Sequence, residues 1–198
     1  MLTAFLIDGF NFYHSIKPLP RRLRWFDYPK YCNHFLCKGD TVHSISYFTA
    51  LAHWRTNSVA RHRVFVEACK IQGVTVVEGK FKEKHSPCPH CKKDITRHEE
   101  KATDVNIALH AYRIAKSVEQ LFLITGDTDL IPAVRLIKQD YPNVRVGVIF
   151  PFNRANKELK TEAHLSRKTT RSILGNFILP DRLTKGDGTV IYCPQDWK

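Results

Sequence analysis

The chain has 198 residues with an ordinary globular composition, 43% hydrophobic and 25% charged. These values exclude a low-complexity chain and a coiled coil. The apolar runs are far shorter than the roughly 20 residues of a membrane-spanning helix, and no signal-peptide pattern opens the sequence. We therefore expect one cytoplasmic domain that does not contact the membrane.

The charge balance favours a polyanionic partner. The 31 basic residues exceed the 19 acidic residues, which gives a formal net charge of +12 and a pI of about 9.5. Such a surplus is typical of proteins that bind nucleic acid, although many basic proteins bind none. Residues 80–101 and 154–171 hold the densest positive charge. The sequence leaves open whether copies of the chain form a homo-oligomer.

Predicted strands and helices alternate along the chain. Apolar or β-branched runs predict strands at residues 3–7, 43–50, 73–77, 121–125 and 144–150. Helical periodicity predicts helices at residues 58–72, 103–116 and 128–139. The buried face expected for the second helix contains Val105, Ala108, Leu109, Tyr112 and Ala115. Since continuous apolar strands suit burial on both faces, the pattern predicts an α/β three-layer sandwich with a central, mostly parallel sheet.

The composition also suggests how the chain is divided. We expect one domain over residues 1–182, with a small cysteine-containing insertion at residues 80–100 that interrupts the alternation. Residues 183–198 would be a C-terminal tail. Glycine and proline in this last stretch predict irregular structure.

Acidic residues follow two of the predicted strands. Asp8 comes directly after the first strand, and Asp127 and Asp129 follow the fourth. The carboxyl ends of parallel strands meet at one edge, where the functional crevice of such sheets lies. Gly9 and Gly126 stand beside these aspartates and would permit sharp turns or a positive φ. We therefore expect the three carboxylates to converge.

Asp104 supplies a fourth carboxylate from the first turn of a helix. It aligns with Ala108, Ala111 and Ala115, which places it at the sheet-facing edge of that helix. Several carboxylates at one rim raise one another's pKa and need a shared cation. Oxygen ligands select a hard ion such as Mg²⁺ or Mn²⁺. Taken singly, each aspartate is also explained as an N-cap, a first-turn acid or a turn residue.

Three segments resemble the motifs of the NYN domain family, a branch of the PIN-like nucleases. Residues 5–11, Phe-Leu-Ile-Asp-Gly-Phe-Asn, resemble its opening Asp-x-x-Asn signature. Residues 101–108, Lys-Ala-Thr-Asp-Val-Asn-Ile-Ala, resemble its Lys-x-Thr-Asp-Val helix start, and residues 124–132, Ile-Thr-Gly-Asp-Thr-Asp-Leu-Ile-Pro, its Ser/Thr-Gly-Asp-x-Asp motif. The order and spacing agree over roughly residues 3–150.

The resemblance implies a PIN-like fold and a ribonuclease site that depends on Mg²⁺ or Mn²⁺. The main metal ligands that it implies are Asp8, Asp104 and Asp127. Asp129 would be a further ligand or an acceptor that supports one, and Asn11 would orient a water or a phosphate. Thr125 would hydrogen-bond a phosphate or a ligand carboxylate. The implied reaction is hydrolysis of an RNA phosphodiester by a metal-activated water.

The insertion contains a Cys-Pro-His-Cys turn at residues 88–91. Its two-residue gap is that of one half of a zinc site, and a closed structural site needs four ligands. The nearby candidates are His85, His90 and His98, and the expected set is Cys88, Cys91, His85 and His98. The alternative is a hairpin with reduced cysteines. A redox role fits less well because the pair lies in a cationic loop without a strand-to-helix setting.

Basic residues close to the acidic motifs are expected to contact the substrate. The insertion precedes Asp104 directly, and its Lys92, Lys93 and Lys101 could hold the phosphate backbone. Residues 18–31 interleave arginines with aromatic side chains. That pattern suits either base stacking or anchoring of a loop on the core.

Two other functions stay open. One is a catalytically inactive RNA-binding module of the same fold, although its acidic residues are present. The other is a metal-dependent phosphohydrolase acting on small phosphates. A haloacid-dehalogenase site would need an aspartate where Phe10 stands, and no GxGxxG segment follows a predicted strand.

Overall fold

The computed structural model describes residues 1–87, 90–91 and 94–198. The strands of this part of the chain are β1 (Leu2–Asp8), β2 (Thr41–Thr49), β3 (Thr75–Glu78), β4 (Lys80–Pro87), β5 (Asp94–Lys101), β6 (Gln120–Ile124), β7 (Arg145–Phe150), β8 (Leu165–Lys168), β9 (Arg182–Thr184) and β10 (Val190–Tyr192). The α-helices are α1 (Gly9–Ile16), α2 (Tyr28–His34), α3 (Thr56–Ile71), α4 (Thr103–Ala115), α5 (Ile131–Asp140), α6 (Lys157–Glu162) and α7 (Arg171–Leu174). None of these helices combines the length and the apolar character needed to span a membrane.

Six strands form a parallel sheet in the order β3-β2-β1-β6-β7-β8. The predicted α/β class and parallel sheet are confirmed, and the five predicted strands lie within two residues of the observed ones. β8, which was not predicted, is a short edge strand that carries serine, arginine and lysine. The chain runs from β1 outward to β3 and then returns to β6 on the other side of β1. The ends of β1 and β6 therefore form the switch point of the sheet, where a crevice opens.

Helices cover both faces of the sheet and bury the central strands completely. On β1, Phe5 and Ile7 belong to one core cluster, and Ala4 and Leu6 belong to the other. The first cluster includes residues of α1, α2 and α3, and the second includes residues of α4, α5 and α6. Alternate side chains of a strand point to opposite faces, and this explains why the strands read as continuous apolar runs.

Helix α4 occupies the predicted residues but buries a different face. Ile107, Ala111 and Ala115 are buried, whereas Val105 is 59% exposed and Leu109 is 65% exposed. The predicted buried face is therefore wrong at these two positions. Apolar residues lie on several sides of this helix, so periodicity alone did not select one side. The observed side places Thr103 in the core and Asp104 at its rim.

Strands β4 and β5 form an antiparallel hairpin apart from the central sheet. Strand β4 pairs with β5, from Lys80 opposite Lys101 to Pro87 opposite Asp94. The hairpin leads directly into α4 through Ala102, whose φ of 73° lies in the left-handed region. Its geometry thus sets where α4 begins.

The C-terminal residues pack on the core. Strands β9 and β10 pair antiparallel, and the Trp197 ring lies 6.5 Å from that of Trp25 and 6.2 Å from that of Phe65. The expectation of irregular structure is wrong where β9 and β10 form, and Trp197 at the end of the stretch is buried against the core. Trp25 and Phe26 are themselves buried, so these aromatic residues of the 18–31 segment anchor a loop.

The strained backbone at Ala102 yields a stability prediction. A residue with a Cβ in the left-handed region costs roughly 1–2 kcal/mol, a cost that glycine avoids. Ala102→Gly should raise the free energy of unfolding by up to about 1 kcal/mol, after the larger entropy that glycine loses on folding. Ala108→Gly, inside α4, should lower it by about 1 kcal/mol. Urea denaturation of both variants measures the difference, and equal losses would contradict the account.

Candidate metal centre

Asp8 stands at the junction between β1 and α1. It is 4% exposed, and its Oδ1 accepts a hydrogen bond from the backbone N–H of Asn11 at 2.9 Å, which makes it the N-cap of α1. The capping explanation is therefore correct for this residue. Capping uses only one of the two oxygens of Asp8, because an ionised carboxylate has a second oxygen with further acceptor sites.

Thr125 ties that second oxygen to the end of β6. The buried Thr125 hydroxyl donates to Asp8 Oδ2 at 2.8 Å and accepts from the N–H of Asp127 at 3.0 Å. Beside it, Asn11 Oδ1 accepts from the N–H of Gly126 at 3.1 Å. These bonds join the two strand ends of the switch point and hold Asp127 opposite Asp8.

Asp104 completes a three-carboxylate cluster from the first turn of α4. One carboxylate oxygen from each of Asp8, Asp104 and Asp127 can be chosen so that all three lie within 4.8 Å of one another. They line a cavity of about 180 Å³ that also contacts Asn11 and Phe10. The predicted convergence of these aspartates is therefore present in the structure. Asp129 lies outside the three-residue cluster, and its backbone N–H donates to Asp127 Oδ1 at 3.0 Å.

Gly9 and Gly126 serve close packing at this rim. Neither has a positive φ, so the positive φ that was one of the two expectations for these glycines is not found. A Cβ on Gly9 would lie 2.5 Å from the carbonyl oxygen of Phe48, and one on Gly126 would overlap the carbonyl oxygen of Arg154. The second contact brings the basic segment of residues 154–171 against the loop that carries Asp127.

The cluster carries unfavourable charge. Burial raises the pKa of Asp8 to about 6, and the charges of Asp104 and Asp127 add to this rise, while hydrogen bonds from Asn11 and Thr125 oppose it. Burial also raises the pKa of Asp104, and the charges of Asp127 and Asp129 contribute. A bound cation would favour the ionised forms of these groups.

The donor set fits a hard divalent cation. All three groups of the cluster offer carboxylate oxygens, and the ligands that suit Mg²⁺ and Mn²⁺ are oxygens. One donor is buried and fixed by two hydrogen bonds, whereas Asp104 is exposed and open to solvent. This arrangement leaves an open side on which water or a phosphate oxygen can bind.

Comparison with known proteins identifies the family of this chain. The model of the NYN domain family matches residues 2–169, which is most of the chain. The chain belongs to the NYN domain family. The match includes the ends of β1 and β6 and the start of α4, which are the segments that carry the acidic motifs. The resemblance inferred from those motifs is thereby confirmed.

Two individual proteins are similar to this NYN chain. The 6-hydroxy-3-succinoylpyridine 3-monooxygenase HspA of Pseudomonas putida is 27% identical over 212 aligned positions, which cover 86% of this chain and 67% of that protein. The crystal structure of a protein of unknown function from Vibrio parahaemolyticus superposes with a TM-score of 0.59 at 21% identity, covering 89% of this chain and 95% of the other. The second likeness shows a shared fold.

Two residues at the cavity were missed by motif reading. Glu100, at the end of β5, lines the cavity, and its Oε1 accepts from the Thr103 hydroxyl at 2.5 Å. Burial raises its pKa, and the charge of Asp104 adds to the rise. Phe10 lines the same cavity and is 49% exposed. For Phe10, the available signal was a large aromatic residue between Asp8 and Asn11 of the first motif.

Of the three lysines expected to contact the substrate, the structure describes Lys101. Lys92 and Lys93 lie outside the described residues. Lys101 ends β5 and forms an ion pair with Glu99 at 2.9 Å. Its ammonium group is therefore partly neutralised on the hairpin, next to the helix that carries Asp104.

The expected zinc ligands are also only partly placed, because Cys88 lies outside the described residues. Cys91 is exposed, and His85 Nδ1 lies 3.2 Å from the hydroxyl of Thr96. His98 stacks on Trp54, with ring centroids 3.6 Å apart and an interplanar angle of 15°. The hairpin thus gives His98 an aromatic partner, and zinc binding stays a prediction.

The raised pKa of Asp8 predicts pH-dependent stabilisation by Mn²⁺. At a free concentration of about 100 times its Kd, the ion should raise the free energy of unfolding by about 2.7 kcal/mol. Protons compete for Asp8 below pH 6, so affinity should fall at least about tenfold between pH 7 and pH 5. Without metal, the raised pKa stabilises the fold below about pH 4, and this contribution is lost as the pH rises through about 6.

Thermal unfolding with and without Mn²⁺ at each pH measures this effect. Asp104→Asn should abolish the gain, whereas Asp187→Asn, in the turn between β9 and β10, should keep it. An equal Mn²⁺ effect in all three proteins would show that the ion binds elsewhere.

Proposed function

We propose that this chain is a metal-dependent nuclease that hydrolyses phosphodiester bonds of RNA. The observation that carries the proposal is the convergence of Asp8, Asp104 and Asp127 at the switch point of the sheet. Membership of the NYN family and the net charge of +12 support a nucleic-acid substrate. The choice of RNA rests on the family.

The three aspartates would hold one Mg²⁺ or Mn²⁺ ion in the small cavity. When bound, such an ion would activate a water and offset the charge of the phosphate. Hydrolysis forms a bond between the water oxygen and phosphorus and breaks the bond to the leaving sugar oxygen, which takes up a proton. No side chain has to form a covalent intermediate, and accordingly none is assigned as a nucleophile.

The surrounding residues would fix the geometry of this site. The Thr125 hydroxyl orients Asp8, and its contact with the N–H of Asp127 fixes the second aspartate. Asn11 holds the backbone of Gly126 and so positions the loop between β6 and α5. We propose Asn11 as a positioning residue on this basis, in place of direct contact with water or phosphate. Asp129 would support Asp127 through the same loop.

A second candidate is the oxidation of a small aromatic compound. The name of the Pseudomonas putida relative specifies a monooxygenase acting on 6-hydroxy-3-succinoylpyridine. A cavity rich in aromatic side chains lies next to the acidic site in this chain, with Phe10 and Glu100 in the lining of both. At 27% identity the relative does not decide between the two reactions. Oxygen consumption with that compound and a reductant, compared with RNA cleavage, separates them.

The main test is cleavage of end-labelled oligonucleotides. The substrates are single- and double-stranded RNA and DNA, each with Mg²⁺, Mn²⁺ or EDTA. RNA should be cleaved only with a divalent ion, and Asp127→Asn should lose more than about 100-fold, since it removes a ligand and even supporting residues cost roughly 10–100-fold. Asp187→Asn should behave as the wild type.

Each other outcome has a distinct meaning. Cleavage in EDTA, or full activity of Asp127→Asn, would overturn the mechanism. Metal-dependent RNA binding without cleavage would identify an inactive binding module. Release of phosphate from small phosphomonoesters, with intact RNA, would identify a phosphohydrolase.

Thr125 gives a finer test of the proposed geometry. Thr125→Val keeps the shape of the side chain but removes the hydroxyl that links Asp8 to Asp127. Activity should fall roughly 10–100-fold, and Thr125→Ser should recover most of it. If the two variants lose activity equally, the hydroxyl does not have this role.

A further inference from the structure

An aromatic cleft lies directly beside the acidic cavity, which is the small cavity lined by Asp8, Asp104 and Asp127. It has a volume of about 450 Å³, and its lining includes Phe10, Tyr13, Trp54, Phe81 and His98. Phe10 and Glu100 line both the cleft and the acidic cavity. A ligand in the aromatic cleft can therefore extend into the cluster of aspartates.

The two cavities differ in the ligand that they suit. Sites for small organic ligands measure roughly 300–1,000 Å³. The aromatic cleft falls in this range, whereas the acidic cavity, at about 180 Å³, is smaller. The acidic cavity suits an ion and phosphate oxygens, and the aromatic cleft suits a planar ring.

Three aromatic side chains of the cleft are exposed, although large apolar groups are commonly buried and several other aromatic residues that line the cleft are buried. Phe10 is 49% exposed, and Tyr13 and Trp54 are each 39% exposed. Trp54 is supported from the hairpin by His98, stacked at 3.6 Å, and by Phe81, edge-on at 4.8 Å. Trp54 is therefore held in place and still accessible.

Positive charge surrounds these rings. Lys17, Arg24 and Arg55 line the cleft, and none of them forms an ion pair within residues 1–87, 90–91 and 94–198. The Arg24 guanidinium lies 5.7 Å from the centroid of the Tyr13 ring. Its Nε is buried and has no hydrogen-bond partner in the described structure. The cleft thus offers donors for an anionic ligand as well as faces for stacking.

We infer that the aromatic cleft binds unpaired bases of a single-stranded nucleic acid next to the phosphate in the acidic cavity. Phe10 supports the base beside that phosphate, Trp54 supports a further base, and the basic side chains contact the backbone. Bases stack on aromatic side chains irrespective of sequence, and phosphates bind to basic grooves. The inference rests on the proposed function and names the strandedness of its substrate. A base within a duplex is already stacked and paired, so it cannot enter the cleft.

Trp54 provides a direct probe. Trp25 is 0% exposed, and Trp197, which also lines the cleft, is 7% exposed, whereas Trp54 is 39% exposed. A base that stacks in the cleft should therefore quench mainly the fluorescence of Trp54. The titration uses the Asp127→Asn protein in EDTA, which prevents cleavage. The ligands are a short single-stranded RNA, the same sequence as a closed hairpin duplex, a nucleoside monophosphate and 6-hydroxy-3-succinoylpyridine.

The single strand should quench and bind, and the duplex should bind at least tenfold more weakly. Trp54→Ala in the same background should weaken single-strand binding about 5- to 150-fold, the range for loss of one stacked base. Trp54→Phe should keep the affinity within a few-fold while losing the fluorescence response, which separates stacking from structural damage. Tyr192→Ala, which removes another exposed aromatic ring outside the cleft, should change nothing. Arg55→Gln should make the slope of log K against log[salt] less steep by about 0.7, the value for one phosphate contact of a single strand.

Several results would overturn the inference. Equal binding of duplex and single strand, or wild-type affinity in Trp54→Ala, would remove the cleft from nucleic-acid recognition. Saturation by 6-hydroxy-3-succinoylpyridine alone, without an effect of RNA, would make the cleft a small-molecule site. Trp54-dependent binding without cleavage by the wild type with Mn²⁺ would refute the nuclease proposal and leave the cleft assignment standing. Metal-dependent cleavage that is unchanged by substitution of Trp54 would refute the cleft assignment and leave the nuclease proposal standing.

Discussion

The architecture of the site depends on one buried carboxylate, that of Asp8. One of its oxygens caps helix α1, and the other accepts the Thr125 hydroxyl. The second bond ties the end of β1 to the end of β6, which are neighbours in the sheet, and the packing around Asp8 places like charges from α4 and the β6 loop close to a buried acid. A bound cation would relieve the repulsion that this packing creates. The same interaction thus explains the local fold and the chemistry expected of it.

The sequence predicted the sheet well because its strands are buried on both faces, as Phe5 and Leu6 show. It predicted the convergence of Asp8 and Asp127 because strand ends of a parallel sheet share an edge, and that of Asp104 because this residue lies at the sheet-facing edge of the first turn of α4. The prediction of which side of α4 is buried was wrong at Val105 and Leu109, since apolar residues lie on more than one side of that helix. Contacts between distant segments, such as Trp197 on Trp25 or Trp54 on His98, leave no periodic signal and appear only in three dimensions.

The hairpin of β4 and β5 links the two cavities. Its end supplies Glu100 to both cavities, and its body supplies His98 and Phe81 as supports for Trp54. The left-handed Ala102 then turns the chain into α4, which carries Asp104. A segment that interrupts the βα alternation in the sequence therefore contributes to both the acidic cavity and the aromatic cleft.

The central claim is that one divalent cation binds between the three aspartates. Crystals grown with Mn²⁺ and measured at its absorption edge test this claim most directly. We predict an anomalous peak within bonding distance of carboxylate oxygens of Asp8, Asp104 and Asp127, and loss of that peak in Asp104→Asn crystals. Mn²⁺ peaks found only at other positions, with these three carboxylates free of metal, would contradict it.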